Sequence, residues 1–406
     1  MLPTATNVLE VQWPAVRADL AGSRPERSTT EGVTMTTGYV WHELFGWHDT
    51  GTNVGILPSD PAAGLQPLQH FENAETKVRM HSLLGASGLQ AHLEPLAPRH
   101  ATEEELRRVH TAEHIARIRE ESTWPKGGDA GDGFSPFGHG GFEVASLAAG
   151  GAIVAAEAVV AGDVRNAYAL IRPPGHHATP ETGMGFCVFS NLAIAARHLL
   201  ATTEVERIAV VDYDVHHGNG TQAAFVNDPN VLTVSVHQDN VFPPDSGKLD
   251  ERGEGRAHGT ALNVPLPAGS GVGAYEATFE QVVLPAVRSF SPDVLLVASG
   301  FDASAADPLA RQMMTAAGYR RITSMLTEVA DEVCDGRIAM THEGGYSAAY
   351  VPFCGLAVLE TLTGVSTGIE DPFDPIFSGF AGQDLQAHQQ ELISAAAKLA
   401  SELATG

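Results

Sequence analysis

Cysteine is nearly absent from this chain. Its 406 residues include three, Cys187, Cys334 and Cys354, none in a CxxC pair. An odd, scattered set argues against a disulfide framework and suits the reducing cytoplasm. Positive charge is also scarce: 24 Lys and Arg stand against 49 Asp and Glu, for a net charge of −25. Such a mean field repels a polyanion, so a nucleic-acid partner is not expected. A cationic substrate would be attracted, although acidity also serves ordinary solubility. The longest mostly apolar stretch, "SLAAGGAIVAAEAVVAG" at 146–162, is rich in small residues and carries Glu157. It reads as a packed core helix, not a membrane span. The opening "MLPTATNVLEVQWP" has no basic segment followed by an apolar run, so no secretory signal is read. No internal period of 20–50 residues points to a repeat architecture.

What is present is a chain that is 43% hydrophobic, enough for a large core. Residues 1–34 are polar and without sustained periodicity, and read as a flexible extension. No Pro/Ser linker divides 35–406, which reads as a single domain. Within it, apolar β-branched runs at 167–173, 207–214, 231–237, 293–302 and 337–346 alternate with helix-like segments at 190–201, 274–290 and 315–334. A further helix is expected in "AHQQELISAAAKLASELA" near the C-terminus. Strand–helix alternation with nearly continuous apolar strands predicts an α/β fold, a central parallel sheet with helices on both faces.

In such folds functional groups gather at the carboxyl ends of the strands. "RPPGHH", "DYDVHHGNG", "GFD" and "EGGY" each follow one of the runs. Asp214 and His216 are two residues apart, so on an extended backbone both face one side and can grip one cation. Asp302 supplies a third ligand from another strand. Two carboxylates and one imidazole suit Zn²⁺ or another first-row divalent ion, and three protein ligands leave a position open for water. An isolated DxH would more often be a hydrogen-bonded strand end; the other clusters shift the balance. His176 and His177 sit on a turn stiffened by two prolines, where an imidazole near a metal site is a natural general base and its neighbour an electrostatic support. Asp212 and Asn219 flank the ligands and can orient the histidines. Tyr346 follows two glycines that permit close approach of a substrate, and its phenol can donate to a developing oxyanion. Together these groups amount to metal-assisted hydrolysis of an amide or similar carbonyl. Phe186 and Phe242 lie on Gly- or Pro-containing loops near the same rim; aromatics are usually core, but two on opposite loops can wall a narrow channel for an alkyl chain.

"RPPGHH", "GFCVFSN", "DYDVHHGNGTQ", "SGFDA" and "EGGY", in that order, resemble the zinc-dependent histone deacetylase family, nearest to the bacterial class II-like histone deacetylase-like amidohydrolases. The resemblance runs from about residue 35 to about 364 and implies the arginase/deacetylase fold. It implies Asp214, His216 and Asp302 as zinc ligands, His177 as proton shuttle, His176 as chiefly electrostatic, and Tyr346 as oxyanion donor. It further implies Phe186 and Phe242 as walls of an acyl-lysine tunnel, Gly185 offering its carbonyl to the substrate N–H, and Asp132 holding the substrate backbone. A K⁺ ion is implied beneath the zinc site, held by Asp212, the carbonyls of Asp214, His216 and Val236, and the Ser235 hydroxyl. Asn219 matches the class II pattern and should leave His177 less basic than a carboxylate would.

The expected substrate is an acyl-lysine peptide or a small acylamide. An acetylpolyamine amidohydrolase is the alternative; Leu309 disfavours it, because similar enzymes selective for polyamines place an acid at that gate. A non-catalytic acyl-lysine reader is disfavoured by retention of His177, Tyr346 and all three ligands. An arginase-like ureohydrolase would need a second-metal ligand where this chain has Gly218. A homo-oligomer stays open, since the sequence does not speak to oligomeric state.

Overall fold

The apolar runs become neighbouring strands. The computed structural model describes residues 36–403, so the extension expected over 1–34 lies outside them. Eight parallel strands form one central sheet: β1 (Thr37–Val40), β2 (Leu93–Leu96), β3 (Asn166–Ala169), β4 (Ile208–Asp212), β5 (Val231–Gln238), β6 (Ala261–Leu266), β7 (Val294–Ser299) and β8 (Ile338–His342). Their spatial order is β6-β5-β4-β7-β8-β3-β1-β2. Every residue of β4, β5, β6, β7 and β8 is buried. Alternation splits each strand between two cores: Ile208 and Val210 enter one, Ala209 and Val211 the other. Burying one such Val, Leu or Ile side chain stabilises by about 1.5–3 kcal/mol, and a strand covered on both faces gains this at successive positions.

Helices Gly141–Val160 and Asn191–Thr202 cover one face. The other is covered by Glu75–Ala86, the helical run 272–290, Ala316–Cys334, Val351–Thr363 and Ala387–Ala400. The segment read as a core helix at 146–162 lies almost wholly in Gly141–Val160. That helix has the length and composition to cross a membrane, but 78% of its most apolar window is buried inside the fold. Ala316–Cys334 shows why the sequence pattern was readable. Thr315 caps it by accepting the Gly318 N–H, and its buried residues Tyr319, Ile322, Leu326 and Val329 recur at helical spacing. The run 272–290 widens into a π turn over Phe279–Val283, just before Pro285, whose missing N–H cannot complete an ordinary α turn.

Strands β1, β2 and β6 were not read from sequence. β2 and β6 are the two edges of the sheet, and each carries a proline, Pro95 and Pro265. Proline blunts an edge by removing a donor, and also erases the strand signal.

Candidate active site

The four strands expected to carry chemistry, β4, β7, β8 and β3, are consecutive in the centre of the sheet. Their carboxyl ends therefore converge at one rim. Asp214, His216 and Asp302 meet there fully or almost fully buried, with one potential ligand atom from each all within 4.8 Å of one another. His216 Nδ1 lies 3.0 Å from Asp214 Oδ1 and 3.1 Å from Asp302 Oδ2. The backbone is fitted around these carboxylates. A Cβ added at Gly344 would sit 2.0 Å from Asp302 Oδ2, and one at Gly300 would sit 2.2 Å from Asp214 Oδ2.

The electrostatics call for positive charge. Burial alone would depress the His216 imidazole, yet its hydrogen bonds to Asp214 and Asp302 hold it raised to about 10. Burial and the neighbouring Asp214 charge push Asp302 up to about 6. Two buried carboxylates and one imidazole, gathered on a shared centre, fit a divalent cation in chemistry and spacing.

Beside this triad the two adjacent histidines stand with ring centroids 3.9 Å apart. His176 Nδ1 pairs with Asp212 Oδ2 at 2.9 Å, and His177 Nδ1 with Asn219 Oδ1 at 2.7 Å. Burial would lower His176, but the Asp214 and Asp212 carboxylates hold it up at about 10. Burial, reinforced by the positive His176 and His216, holds His177 well below the ordinary imidazole range. The Asn219 amide opposes that lowering only through its hydrogen bond. A side chain at Gly218 would run into Asp212, with a Cβ only 2.2 Å from Oδ2, so no further ligand fits there.

A cavity of about 210 Å³ leads to the centre. Asp132, Gly185, Phe186, Phe242, Leu309, His177, His216 and Tyr346 all line it, and its exposed lining is mainly apolar. Phe242 meets His177 edge-on at 4.8 Å, and Phe186 meets Tyr346 edge-on at 5.6 Å. Burial, then the Asp302 and Asp214 charges, raise the Tyr346 phenol well above its usual value, so it stays protonated as a donor. Asp132 turns its carboxylate to the chain itself, accepting the Gly185 N–H at 2.7 Å and the Phe134 N–H at 2.9 Å. Phe186 is held at φ 71° with its N–H on the Ser135 hydroxyl at 2.7 Å. That left-handed conformation costs about 1–2 kcal/mol in a non-glycine residue, so the loop is pinned against strain. Of the side chains expected at a K⁺ site, Asp212 and Ser235 line a small void of about 10 Å³. The carbonyl donors Asp214, His216 and Val236 lie outside that void's lining.

Several participants escaped the sequence reading. Ile56, Phe134 and Val241 also wall the cavity. Buried Asp307 accepts the Tyr346 N–H at 2.8 Å. Glu72, also buried, is clasped by Arg172 at 2.8 Å and Lys77 at 3.2 Å, and Lys77 Nζ lies 5.5 Å from the Tyr346 ring centroid. Glu343 accepts amides of the histidine loop. "EGGY" and "RPPGHH" flagged the neighbourhoods of Glu343 and Arg172, and the loop of Phe242 that of Val241; nothing in a linear reading flagged Ile56.

The chain is similar to known proteins. Residues 70–362 match the histone deacetylase domain family. A histone deacetylase-like amidohydrolase of Pseudomonas aeruginosa is 46% identical over 349 residues, spanning 84% of this chain and 89% of that protein. Histone deacetylase 8 of Arabidopsis thaliana is 38% identical over 337 residues, spanning 81% and 88%. Among solved structures, the HDA15 HD domain superposes with a TM-score of 0.74 at 32% identity, covering 91% of this chain and 99% of that one. The fold agrees with the expected arginase/deacetylase architecture, and deacetylase activity and hydrolase chemistry follow at the level of the family. The chain belongs to the histone deacetylase family.

Proposed function

We propose that this protein is a zinc-dependent amidohydrolase that removes acetyl or another short acyl group from the side-chain amine of acyl-lysine. The observation that carries the reading is the junction of an apolar cavity with the buried Asp214–His216–Asp302 cluster. When bound by those three residues, a divalent ion such as Zn²⁺ supplies Lewis acidity toward a carbonyl and toward water. Phe186 and Phe242 hold the alkyl stem and keep bulk water from the reacting bond. His177, with Nδ1 fixed on Asn219, has Nε2 left to take a proton from the attacking water and return it to the leaving amine. His176, kept positive by Asp214 and Asp212, reinforces the burial that keeps its neighbour neutral and adds positive charge beside the carboxylates. Tyr346 donates its hydroxyl to the oxyanion that develops on the acyl carbonyl oxygen. Gly185 offers its carbonyl to the substrate N–H. Asp212 and Ser235 are proposed as part of a K⁺ site below.

Leu309 at the mouth favours acyl-lysine over an acetylpolyamine, whose distal ammonium would find no carboxylate from that residue. The three free, buried cysteines suit a reducing cytoplasm. The test is to incubate the zinc-loaded protein with an acetyl-lysine peptide, acetylputrescine and arginine. Fastest turnover of the peptide is expected; strong turnover of either competitor with none of the peptide overturns the assignment.

A further inference from the structure

We infer that Glu343 is a positioning residue whose carboxylate clamps the tandem-histidine loop to the end of β8; the inference rests on the reading of His176 and His177 as the proton-handling pair. The loop leaves β3 through Pro173 and Pro174, which have no N–H to anchor it. The first donors it offers after the prolines are the amides of Gly175, His176 and His177, all buried. Buried amides need acceptors. Glu343 Oε2 takes two of them, Gly175 N–H at 2.6 Å and His176 N–H at 3.1 Å, and Cys187 Sγ takes the His177 N–H at 3.5 Å. The second Glu343 oxygen is fixed in turn by the Thr341 hydroxyl at 3.2 Å.

β8 and β3 are hydrogen-bonded neighbours, so a side chain one residue past β8 reaches the loop that follows β3. Glu343 itself is 0% exposed and has no route to substrate. Its effect passes through the backbone that sets where both imidazoles stand against Asp212 and Asn219. A displacement of about 1 Å in such a group can lower the rate by about 10²-fold. Burial pushes the Glu343 carboxyl up to about 7, and what charge it keeps acts on His176 as well, so acceptor and charge roles are separated by substitution.

Glu343→Gln and Glu343→Asp separate these roles. Glutamine can set its carbonyl oxygen on both amides and its NH₂ on the Thr341 hydroxyl, reproducing all three contacts without charge. Aspartate keeps the charge but withdraws the oxygens by one methylene. With the acetyl-lysine peptide, Glu343→Gln is expected to keep kcat within roughly threefold of the parent. Glu343→Asp should lose roughly 10- to 100-fold in kcat with KM little changed, because the cavity walls are untouched. The low-field imidazole proton resonance of the His176–Asp212 pair gives a readout independent of turnover: it should move or broaden in Glu343→Asp and stay in place in Glu343→Gln. Metal content should equal the parent's in both. Two variants with parental kcat, or a glutamine variant as damaged as the aspartate one, overturn the clamp. Should Glu343→Asp not fold, Glu343→Ala, which removes both acceptor oxygens, takes its place: a loss of roughly tenfold or more in kcat with a moved resonance, beside a near-parental Glu343→Gln, supports the clamp, and parental kcat in Glu343→Ala overturns it. If the parent is inactive on every acyl-lysine substrate, the functional reading fails instead, and the resonances still judge the clamp.

Discussion

Two imidazoles that are neighbours in sequence live in opposite electrostatic surroundings. His176 turns Nδ1 to the Asp212 carboxylate, and His177 turns Nδ1 to the Asn219 amide. Both are buried, and burial pushes each toward neutrality. At His176 the carboxylates win and the ring is held at about 10. At His177 no adjacent carboxylate opposes burial strongly enough, the two charged rings beside it push the same way, and the ring stays neutral. Burial sets the stakes at such a site, and the charges that surround each ring decide the outcome: the Asp214 and Asp212 carboxylates at His176, the charged His176 and His216 rings at His177.

The largest effect should come from removing the neutral partner. His177→Ala is expected to lose about 10²–10⁴-fold in kcat, the range of a general base, with metal content unchanged. His176→Ala should lose less, because only electrostatic support goes; steady-state kinetics on the acetyl-lysine peptide rank the two. A reversed ranking would exchange their roles.

Asn219→Asp should make the His177 pocket resemble that of His176. A carboxylate stabilises imidazolium, so the His177 pKa rises by about 1–3 units. The base works in its neutral form, so activity on the acid side is lost and that limb of the pH–rate profile moves to higher pH. An unmoved limb would show that the amide does not tune the base. Asp212→Asn is the converse change. It lowers the His176 pKa and, by removing a positive charge beside His177, lets the His177 pKa rise slightly, so its acid limb should move up by less than in Asn219→Asp. The smallest effect is expected for Phe242→Leu, which removes the edge-on ring beside His177. Such a contact contributes about 0.5–1.5 kcal/mol, so KM should rise roughly two- to tenfold while the acid limb stays in place.

The legible parts were those written in consecutive residues. β4 and β7 announce themselves by β-branched runs, and Asp214 and His216 by strand spacing. The parallel-sheet rule then placed Asp302 and Tyr346 at the same rim. β2 and β6 were invisible because their prolines weaken the strand signal that edge positions do not need. Glu343 and Asp307 were missed for a different reason. Each acts by accepting backbone amides from residues remote in sequence or across a loop, and an amide donor carries no residue-type signature. Ile56 reaches the cavity from a short antiparallel ribbon at Thr52–Val54, Leu57–Pro58 and Leu68–Gln69, too brief for any period to show. Asp132 was found, but its contact with the Gly185 amide depends on how two loops fold together.

The split between the two histidines is measured most directly by a ¹⁵N-histidine NMR titration of the zinc-loaded protein from pH 5 to 9. The account predicts one ring of the pair protonated throughout, assigned by loss of its signals in His176→Ala, and the other neutral throughout, assigned by loss in His177→Ala. Two rings titrating together near an ordinary imidazole pKa, or a His177 that is protonated at neutral pH, would contradict it.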